Sequence, residues 1–144
     1  MQNLITTGTQ IKVSSTLNKS VGKTYLTDGN PETCWTSQQG LPQTIQLMFP
    51  SPVIPRQVSI TFQGGFVGTC CSIHVASPTS NEWEIAAKIF PEDNNRPQSF
   101  TLTPDSSNLL DAGVGKLKLI FEESSDFFGR ITIYDLRLEG DVVQ

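Results

Sequence analysis

Oxygen-bearing side chains are concentrated in segment 28–37, where they could bind a metal ion. Asp28 and Gly29 favour a tight turn, because an aspartate side chain bonds its own backbone two residues on and glycine tolerates a positive φ. The side-chain oxygens of Asp28 and Thr33, with nearby backbone carbonyls, are ligands that a hard cation such as calcium prefers. Trp35 would fix the loop to the core. The segment is therefore either a calcium loop that takes further ligands from elsewhere or a structural turn without an ion.

Residues that could perform catalysis are few and poorly placed. His74 is the only histidine, which excludes a multi-histidine zinc site. Cys71 lies three residues before it, so on a strand the two side chains point to opposite faces and cannot form a nucleophilic pair. Cys34 fits a small buried residue beside Trp35, and segment 113–116 lacks the spacing of a phosphate-binding loop. We therefore expect a protein that is not an enzyme.

The composition describes one compact domain without a polyanion-binding surface. The 144 residues are 37% hydrophobic and 17% charged, with a net charge of -4, which fits a single domain over residues 1–144. The ten basic residues are scattered among fourteen acidic ones, so we expect no direct binding of nucleic acid. Neither a secretory signal nor an apolar run long enough for a membrane span is found. With three cysteines, an odd number, we expect reduced thiols and an intracellular protein, in the nucleus and/or the cytoplasm.

A two-residue hydrophobic period dominates the chain. Segment 57–62 alternates polar and apolar residues without a break, which predicts that Val58, Ile60 and Phe62 face a core. Segment 45–49 repeats the pattern, and a proline-rich turn is expected to end that strand before the next one begins. Further strands are predicted at 11–15, 71–76, 83–90, 98–102, 116–121 and 130–138. Eight short strands indicate an all-β fold, an eight-stranded antiparallel β-sandwich.

Two local irregularities are also expected. The apolar set changes parity between Ile133 and Leu136, which predicts a β-bulge near Tyr134 and Asp135. Segment 106–112 predicts a single helical turn that the following glycines end.

Four segments, taken together, resemble a known family. The first is Asp28-Gly29-Asn30 followed by Thr33, Trp35 and Ser37, which resembles the start of discoidin-like domains, also called coagulation factor type C or galactose-binding-like domains. The others are FQGGF at 62–66, FPEDNN at 90–95 and FEESSDFFGR at 121–130. In this order they resemble the nuclear-receptor-associated proteins, a small family of partners of a testicular orphan receptor, over roughly residues 14 to 140.

The resemblance implies a jelly-roll sandwich, a topology that periodicity alone does not select, together with a structural calcium site. It assigns the side chain of Asp28, the carbonyl of Asn30 and both oxygens of Thr33 as ligands. Tyr25 would add a carbonyl, and Glu139, directly after the last predicted strand, would close the site with a second carboxylate.

The resemblance also implies a protein partner, an orphan nuclear receptor whose transcriptional activity this protein would repress. The candidate contact residues are Asp126, Phe127, Phe128 and Arg130, because aromatic rings and guanidinium groups are enriched at protein contacts. We expect at least one of the two phenylalanines to lie in the core. The resemblance further implies that three loops lie close together in space, at 64–65, 92–96 and 127–130.

Two alternatives remain beside the protein-interaction interpretation. A carbohydrate-binding module is one, since sugar binding is the commonest task of galactose-binding-like domains, and Trp83, preceded by Asn81 and Glu82, is the candidate aromatic platform. A scaffold subunit of a ciliary or cytosolic complex is the other, because a small intraflagellar-transport subunit shares this kind of sandwich.

Overall fold

The chain folds into an antiparallel β-sandwich in a computed structural model that describes residues 1–102 and 112–143. Two short 3-10 helices, Lys19–Val21 and Lys23–Leu26, precede the third strand. Within the described ranges, no helix is long and apolar enough to cross a membrane. The strands found there are β1 (Gln2–Asn3), β2 (Gln10–Val13), β3 (Trp35–Thr36), β4 (Gln43–Phe62), β5 (Cys70–Ala76), β6 (Glu84–Ile89), β7 (Gln98–Thr101), β8 (Val114–Glu123) and β9 (Thr132–Val142).

Strand β4 belongs to both layers of the sandwich. Its first half pairs with β2 and β8, and its second half pairs with β9 and β7. Strands β5 and β6 extend the first layer beyond β8, while β1 and β3 pair with β9 in the second layer. Backbone hydrogen bonds therefore run continuously through both layers, in the order β1-β9-β4-β8-β5-β6.

The prolines of β4 bend the strand but do not end it. The sequence predicts two strands separated by a proline-rich turn, and this prediction is wrong, because the chain continues as one strand of 20 residues. The pairing register of β4 with β8 is interrupted between Met48 and Val53. Pro50 and Pro52 lie in that interruption, where no ladder bond requires the N–H that proline lacks.

The remaining strand predictions are confirmed, with boundaries that differ by a few residues. The β-bulge is confirmed as well: the partner register steps from Thr61 opposite Asp135 to Phe62 opposite Ile133, which leaves Tyr134 as the extra residue. The described residues hold nine strands where the sequence predicts eight. The two predicted halves of β4 are one strand, and β1 and β3, of two residues each, are too short to show a period. The helical turn expected over 106–112 lies, apart from its last residue, outside the described residues.

Two buried phenylalanine rings join the layers of the core. Phe62, at the end of β4, and Phe121, in β8, are both fully buried. Their ring centroids are 6.0 Å apart and their planes meet at 81°, an edge-to-face contact. Because these two side chains come from different layers, the pair connects the layers through packing as β4 connects them through hydrogen bonds.

We predict that Phe121→Ala lowers the free energy of unfolding by about 3–5 kcal/mol, since it opens a cavity between the layers that neighbouring side chains cannot fill. Phe90→Ala is the matched control, because Phe90 is 64% exposed, and a surface truncation of this kind changes stability by about 0.5 kcal/mol or less. Urea denaturation of both variants measures the difference. If the two variants lost the same free energy of unfolding, the contact between Phe62 and Phe121 would not be what stabilises the core.

Candidate functional site

The Asp28 carboxylate organises the loop between the second 3-10 helix and β3. Its Oδ1 accepts a hydrogen bond from the Asn30 amide at 3.0 Å, and its Oδ2 accepts one from the Thr33 hydroxyl at 2.6 Å. The Asn30 carbonyl accepts from the Thr33 amide at 3.3 Å and lies 3.2 Å from the Thr33 hydroxyl. Gly29 adopts a φ of 72°, which favours glycine. Oxygens of three predicted calcium ligands therefore converge in one turn.

The same hydrogen bonds keep the Asp28 carboxylate charged. The bond from the Thr33 hydroxyl, and after it the bond from the Asn30 amide, lowers the pKa of Asp28 below its ordinary value. Asp28 is also exposed to solvent. A charged, accessible carboxylate beside hydroxyl and carbonyl oxygens fits the ligand chemistry of calcium.

The two other predicted ligands lie on neighbouring elements. Tyr25 is in the second 3-10 helix, where its amide donates to the Gly22 carbonyl at 3.2 Å. Glu139, on β9, lines a cavity of about 320 Å³ together with Thr27 and Gly29, the residues on either side of Asp28. The described part of the chain contains no group of three or more His, Cys, Asp or Glu side chains that could hold a metal. A cation here would therefore rely largely on hydroxyl and carbonyl oxygens.

Trp35 anchors this loop to the core, as its position in the sequence suggests. The ring is fully buried, and its Nε1 donates to the Ser15 carbonyl at 3.1 Å. Cys34 beside it is half-buried. The loop therefore ends at a fixed point, the buried Trp35, whether or not it binds an ion.

Three loops meet at one end of the sandwich, as the sequence analysis expects. We call residues 63–66, 93–95 and 125–130 the loop cluster. The Gly64 amide donates to Asn95 Oδ1 at 2.6 Å, and the Gly65 amide donates to Asp93 Oδ1 at 2.8 Å. The Ser125 hydroxyl donates to the same Asp93 oxygen at 3.3 Å. Side chains of the middle loop thus tie the other two together.

Both phenylalanines of the loop cluster lie outside the core. The expectation that at least one of them is buried is wrong, because Phe127 is 94% exposed and Phe128 is 53% exposed. The rings contact each other edge to face, with centroids 5.3 Å apart. The pair therefore forms an exposed apolar surface on one loop.

An ion pair holds the loop that carries the phenylalanines. The Asp126 carboxylate accepts from Arg130 Nε at 2.9 Å and from the Arg130 amide at 3.0 Å, which closes the turn between them. The Arg130 guanidinium also lies over two rings, 5.1 Å from the centroid of Phe66 and 5.8 Å from that of Phe128. Arg130 therefore links two loops of the cluster and fixes one ring of the exposed pair.

The turn also depends on Gly129, which adopts a φ of 82°. A Cβ at this position would lie 3.1 Å from backbone atoms of Gly40, so any other residue would be both strained and crowded. On the same side, the Gly40 amide donates to the Phe128 carbonyl at 2.8 Å. Neighbouring Leu41 is 42% exposed, and its Cγ would lie 3.1 Å from the same Cβ.

Sequence reasoning missed the residues that position the loop cluster. Asp93 and Asn95 are expected there only as part of a polar loop, and Ser125 is not singled out, yet these side chains bind backbone amides of another loop. Short Asp, Asn and Ser side chains commonly satisfy backbone donors in turns. The residue types therefore indicate that these side chains bind backbone amides. The amides that they bind could not be identified from the sequence, because they are at least 28 residues away in the chain.

Trp83, the candidate sugar platform, has lysines against it. The ring is half-buried. Lys118 Nζ lies 4.4 Å from the ring centroid and Lys116 Nζ lies 6.0 Å from it. Lys116 also donates to Asn81 at 3.0 Å. The indole is therefore engaged by cations from β8.

Cys71 and His74 do not form a catalytic pair. Cys71 is fully buried, and burial raises the pKa of its thiol. His74 is half-buried on the other face of β5, where burial and then the charge of Lys118 lower its pKa.

Comparison with known proteins identifies the family. No protein-family model matches the chain. The nuclear receptor 2C2-associated protein of Danio rerio is 44% identical over 143 residues, 97% of this chain and 96% of that protein. The human protein of the same name is 38% identical over 144 residues, 98% of each chain. The chain belongs to the nuclear receptor 2C2-associated protein family. The family resemblance found in the sequence is thereby confirmed.

Solved structures show the fold to which this family member belongs. An F5/8 type C domain from Bacteroides fragilis matches with a TM-score of 0.77 and 14% identity, covering 98% of this chain and 97% of that one. A family 32 carbohydrate-binding module of C. perfringens NanJ, solved in complex with galactose, matches with a TM-score of 0.74 and 19% identity, covering 94% and 96%. The discoidin-like, galactose-binding-like fold is therefore confirmed.

We predict that Asp126→Asn destabilises the protein at pH 7 but not at low pH. The hydrogen bond from Arg130 is the main cause that lowers the pKa of Asp126 in the folded state. A depressed folded pKa stabilises the protein above the unfolded value of about 3.9, and this stabilisation is lost as the pH falls through the folded pKa. Thermal melts should show a Tm lower by about 2–4 °C for the variant at pH 7, with the difference vanishing in acid.

Glu32→Gln serves as the isosteric control, because the Glu32 side chain is exposed and forms no ion pair among the described residues. Its Tm should follow that of the unmodified protein at every pH. A constant Tm difference for Asp126→Asn across the pH range would show that the loss does not come from the ion pair.

Proposed function

We propose that this protein is a protein-interaction module without enzymatic activity, and that the loop cluster contacts a nuclear receptor. The name shared by its relatives supports the choice of partner, since they are called nuclear receptor 2C2-associated proteins. The observation that carries the choice of surface is the exposed pair Phe127 and Phe128 on a loop fixed by Asp126 and Arg130.

The geometry of the loop cluster suits a protein contact for two physical reasons. Aromatic rings and arginine supply much of the binding energy at protein interfaces. An aromatic side chain buries a large area with only two rotatable bonds. A surface that is already ordered loses little further entropy on binding. Here three contacts fix the loops before any partner arrives: the Asp126 ion pair, the ring contact of Arg130 with Phe66, and the hydrogen bond that Asp93 accepts from the Gly65 amide.

The proposed consequence is repression of the receptor's transcriptional activity, by covering a surface that the receptor uses for activation. The protein would act in the nucleus, or in the cytoplasm by retaining the receptor there. A sugar-binding function finds less support at Trp83, because the lysines against the ring compete with a stacked sugar.

We predict that the double change Phe127→Ala and Phe128→Ala weakens binding to purified nuclear receptor 2C2 by about 30-fold or more, the loss expected when a central aromatic contact is truncated. Isothermal titration calorimetry measures the affinity. Val142→Ala is the control, since Val142 is exposed but lies at the other end of β9, and it should bind like the unmodified protein.

Two results would contradict this proposal in different ways. Unchanged affinity in the double variant would place the receptor contact on another surface. If the unmodified protein does not bind the receptor at all, the proposed partner is wrong.

We further propose that the Asp28 loop binds a structural calcium ion through Asp28, Asn30 and Thr33, with Tyr25 and Glu139 completing the ligand set. Hydrogen bonds of 3.2 Å or less between Asp28, Asn30 and Thr33 bring three of these residues together, which supports the site. When bound, the ion would neutralise the charge of the Asp28 carboxylate and hold the loop in place where it leads to Trp35.

Calcium should therefore raise the Tm of chelator-stripped protein, because a ligand selective for the folded state stabilises it. Asp28→Asn should abolish this rise while retaining the turn, since an asparagine oxygen still accepts from the Asn30 amide. Differential scanning calorimetry with calcium or with chelator provides the measurement. An identical Tm in the two buffers would mean that the loop is a structural turn without an ion.

A further inference from the structure

A row of outward-facing side chains crosses the first layer of the sandwich. The strand register places Lys12 opposite Gln46, Gln46 opposite Lys118, Lys118 opposite His74, and His74 opposite Ile85. Adjacent strands are about 4.8 Å apart, so this row across five strands is about 19 Å long. It lies on the solvent side, because the neighbours of Lys118 in β8, Leu117 and Leu119, are buried.

This surface carries three lysines that form no ion pair among the described residues. Among the described residues, no carboxylate oxygen lies within 4.0 Å of the ammonium groups of Lys12, Lys116 or Lys118. Lys116 follows the row on β8 and lies, like Lys118, against Trp83. Burial, and after it the charge of Lys118, lowers the pKa of His74, while the charge of Glu122 acts in the opposite direction. We call Lys12, Lys116, Lys118 and His74 the lysine face.

An apolar groove adjoins the lysine face. It has a volume of about 600 Å³, and its apolar lining consists of Leu41, Pro42, Ile85 and Ile120. Ile85 is 63% exposed and Leu41 is 42% exposed. His74 lines the groove and is also part of the lysine face, so the two features form one continuous surface. At the other border of the groove, Lys88 lies 4.0 Å from Glu122.

We propose that the lysine face and the groove bind an extended acidic segment of a partner protein. Carboxylates of the segment lie opposite Lys12, Lys116 and Lys118, and one apolar side chain of the segment enters the groove at Ile85 and Ile120. Charge complementarity supports this occupant, since the three lysines of this face form no ion pair among the described residues.

A nucleic acid is a poorer match to the same surface. A strongly salt-dependent DNA-binding protein makes about 6–10 phosphate contacts, whereas the lysine face offers the charges of only three lysines. The net negative charge of the whole chain also repels a long polyanion. A short peptide presents fewer charges and, unlike a nucleic acid, carries an apolar side chain for the groove.

The test uses a fluorescein-labelled peptide of about eight residues, long enough at about 3.3 Å per residue to cross the five strands. It contains Asp and Glu with one central Leu, and fluorescence anisotropy gives its affinity for the full chain. We expect Lys118→Glu to weaken binding about tenfold or more, because it replaces an attraction by a repulsion. Ile85→Ser should weaken binding as well, since it makes the groove polar.

The control variant is Lys19→Glu, the same charge change at an exposed lysine of the first 3-10 helix, and it should bind the peptide as the unmodified protein does. The Phe127→Ala and Phe128→Ala variant should also retain peptide binding, which separates this surface from the proposed receptor contact. Equal losses in Lys118→Glu and Lys19→Glu would overturn the proposal, as would an absence of binding by the unmodified chain. Tighter binding of a single-stranded oligonucleotide at the same face would overturn the choice of a peptide.

Discussion

Strand β4 forms ladder hydrogen bonds in both layers of the sandwich, and the position of the other strands follows from that constraint. Its two halves must turn their apolar side chains to the same core, and the interrupted register around Pro50 and Pro52 lets the strand bend so that they do. Phe62 ends β4 directly before one loop of the cluster, and Phe121 lies near the end of β8, before another. The buried ring pair Phe62 and Phe121 therefore lies beneath the loops that form the candidate site and supports them.

The loops at that end are ordered by contacts with each other. Backbone amides of Gly64 and Gly65 are satisfied by side chains of the Asp93 loop, and Arg130 connects Asp126 with the ring of Phe66. Such contacts replace the strand pairing that ends at Phe62. They provide hydrogen-bond acceptors for backbone amides of these loops that would otherwise bond to water. The result is a fixed surface with two exposed rings, different in chemistry from the outer face of β8, which carries Lys116, Lys118 and Glu122.

Much of the fold was predictable because a buried strand face imposes a two-residue period. Segment 57–62 shows that period without a break, and the parity change before Leu136 revealed the bulge at Tyr134. The crossing of β4 between layers was not predictable, since prolines mark an interrupted ladder and a true turn equally well. At the site, the types of Asp126 and Arg130 were informative. The exposure of Phe127 and Phe128 could not be predicted, because phenylalanine is usually buried. Their exposure depends instead on a turn that tertiary contacts close.

The central claim is that the preformed loop cluster is the surface that contacts a nuclear receptor. Amide hydrogen exchange of the chain, alone and mixed with purified nuclear receptor 2C2, tests it most directly, because it reports the contact surface without any substitution. The account predicts slower exchange in the receptor-bound state at residues 63–66 and 125–130, with no change in β2 or the Asp28 loop. Slower exchange confined to other parts of the chain, with the loop cluster unchanged, would contradict it.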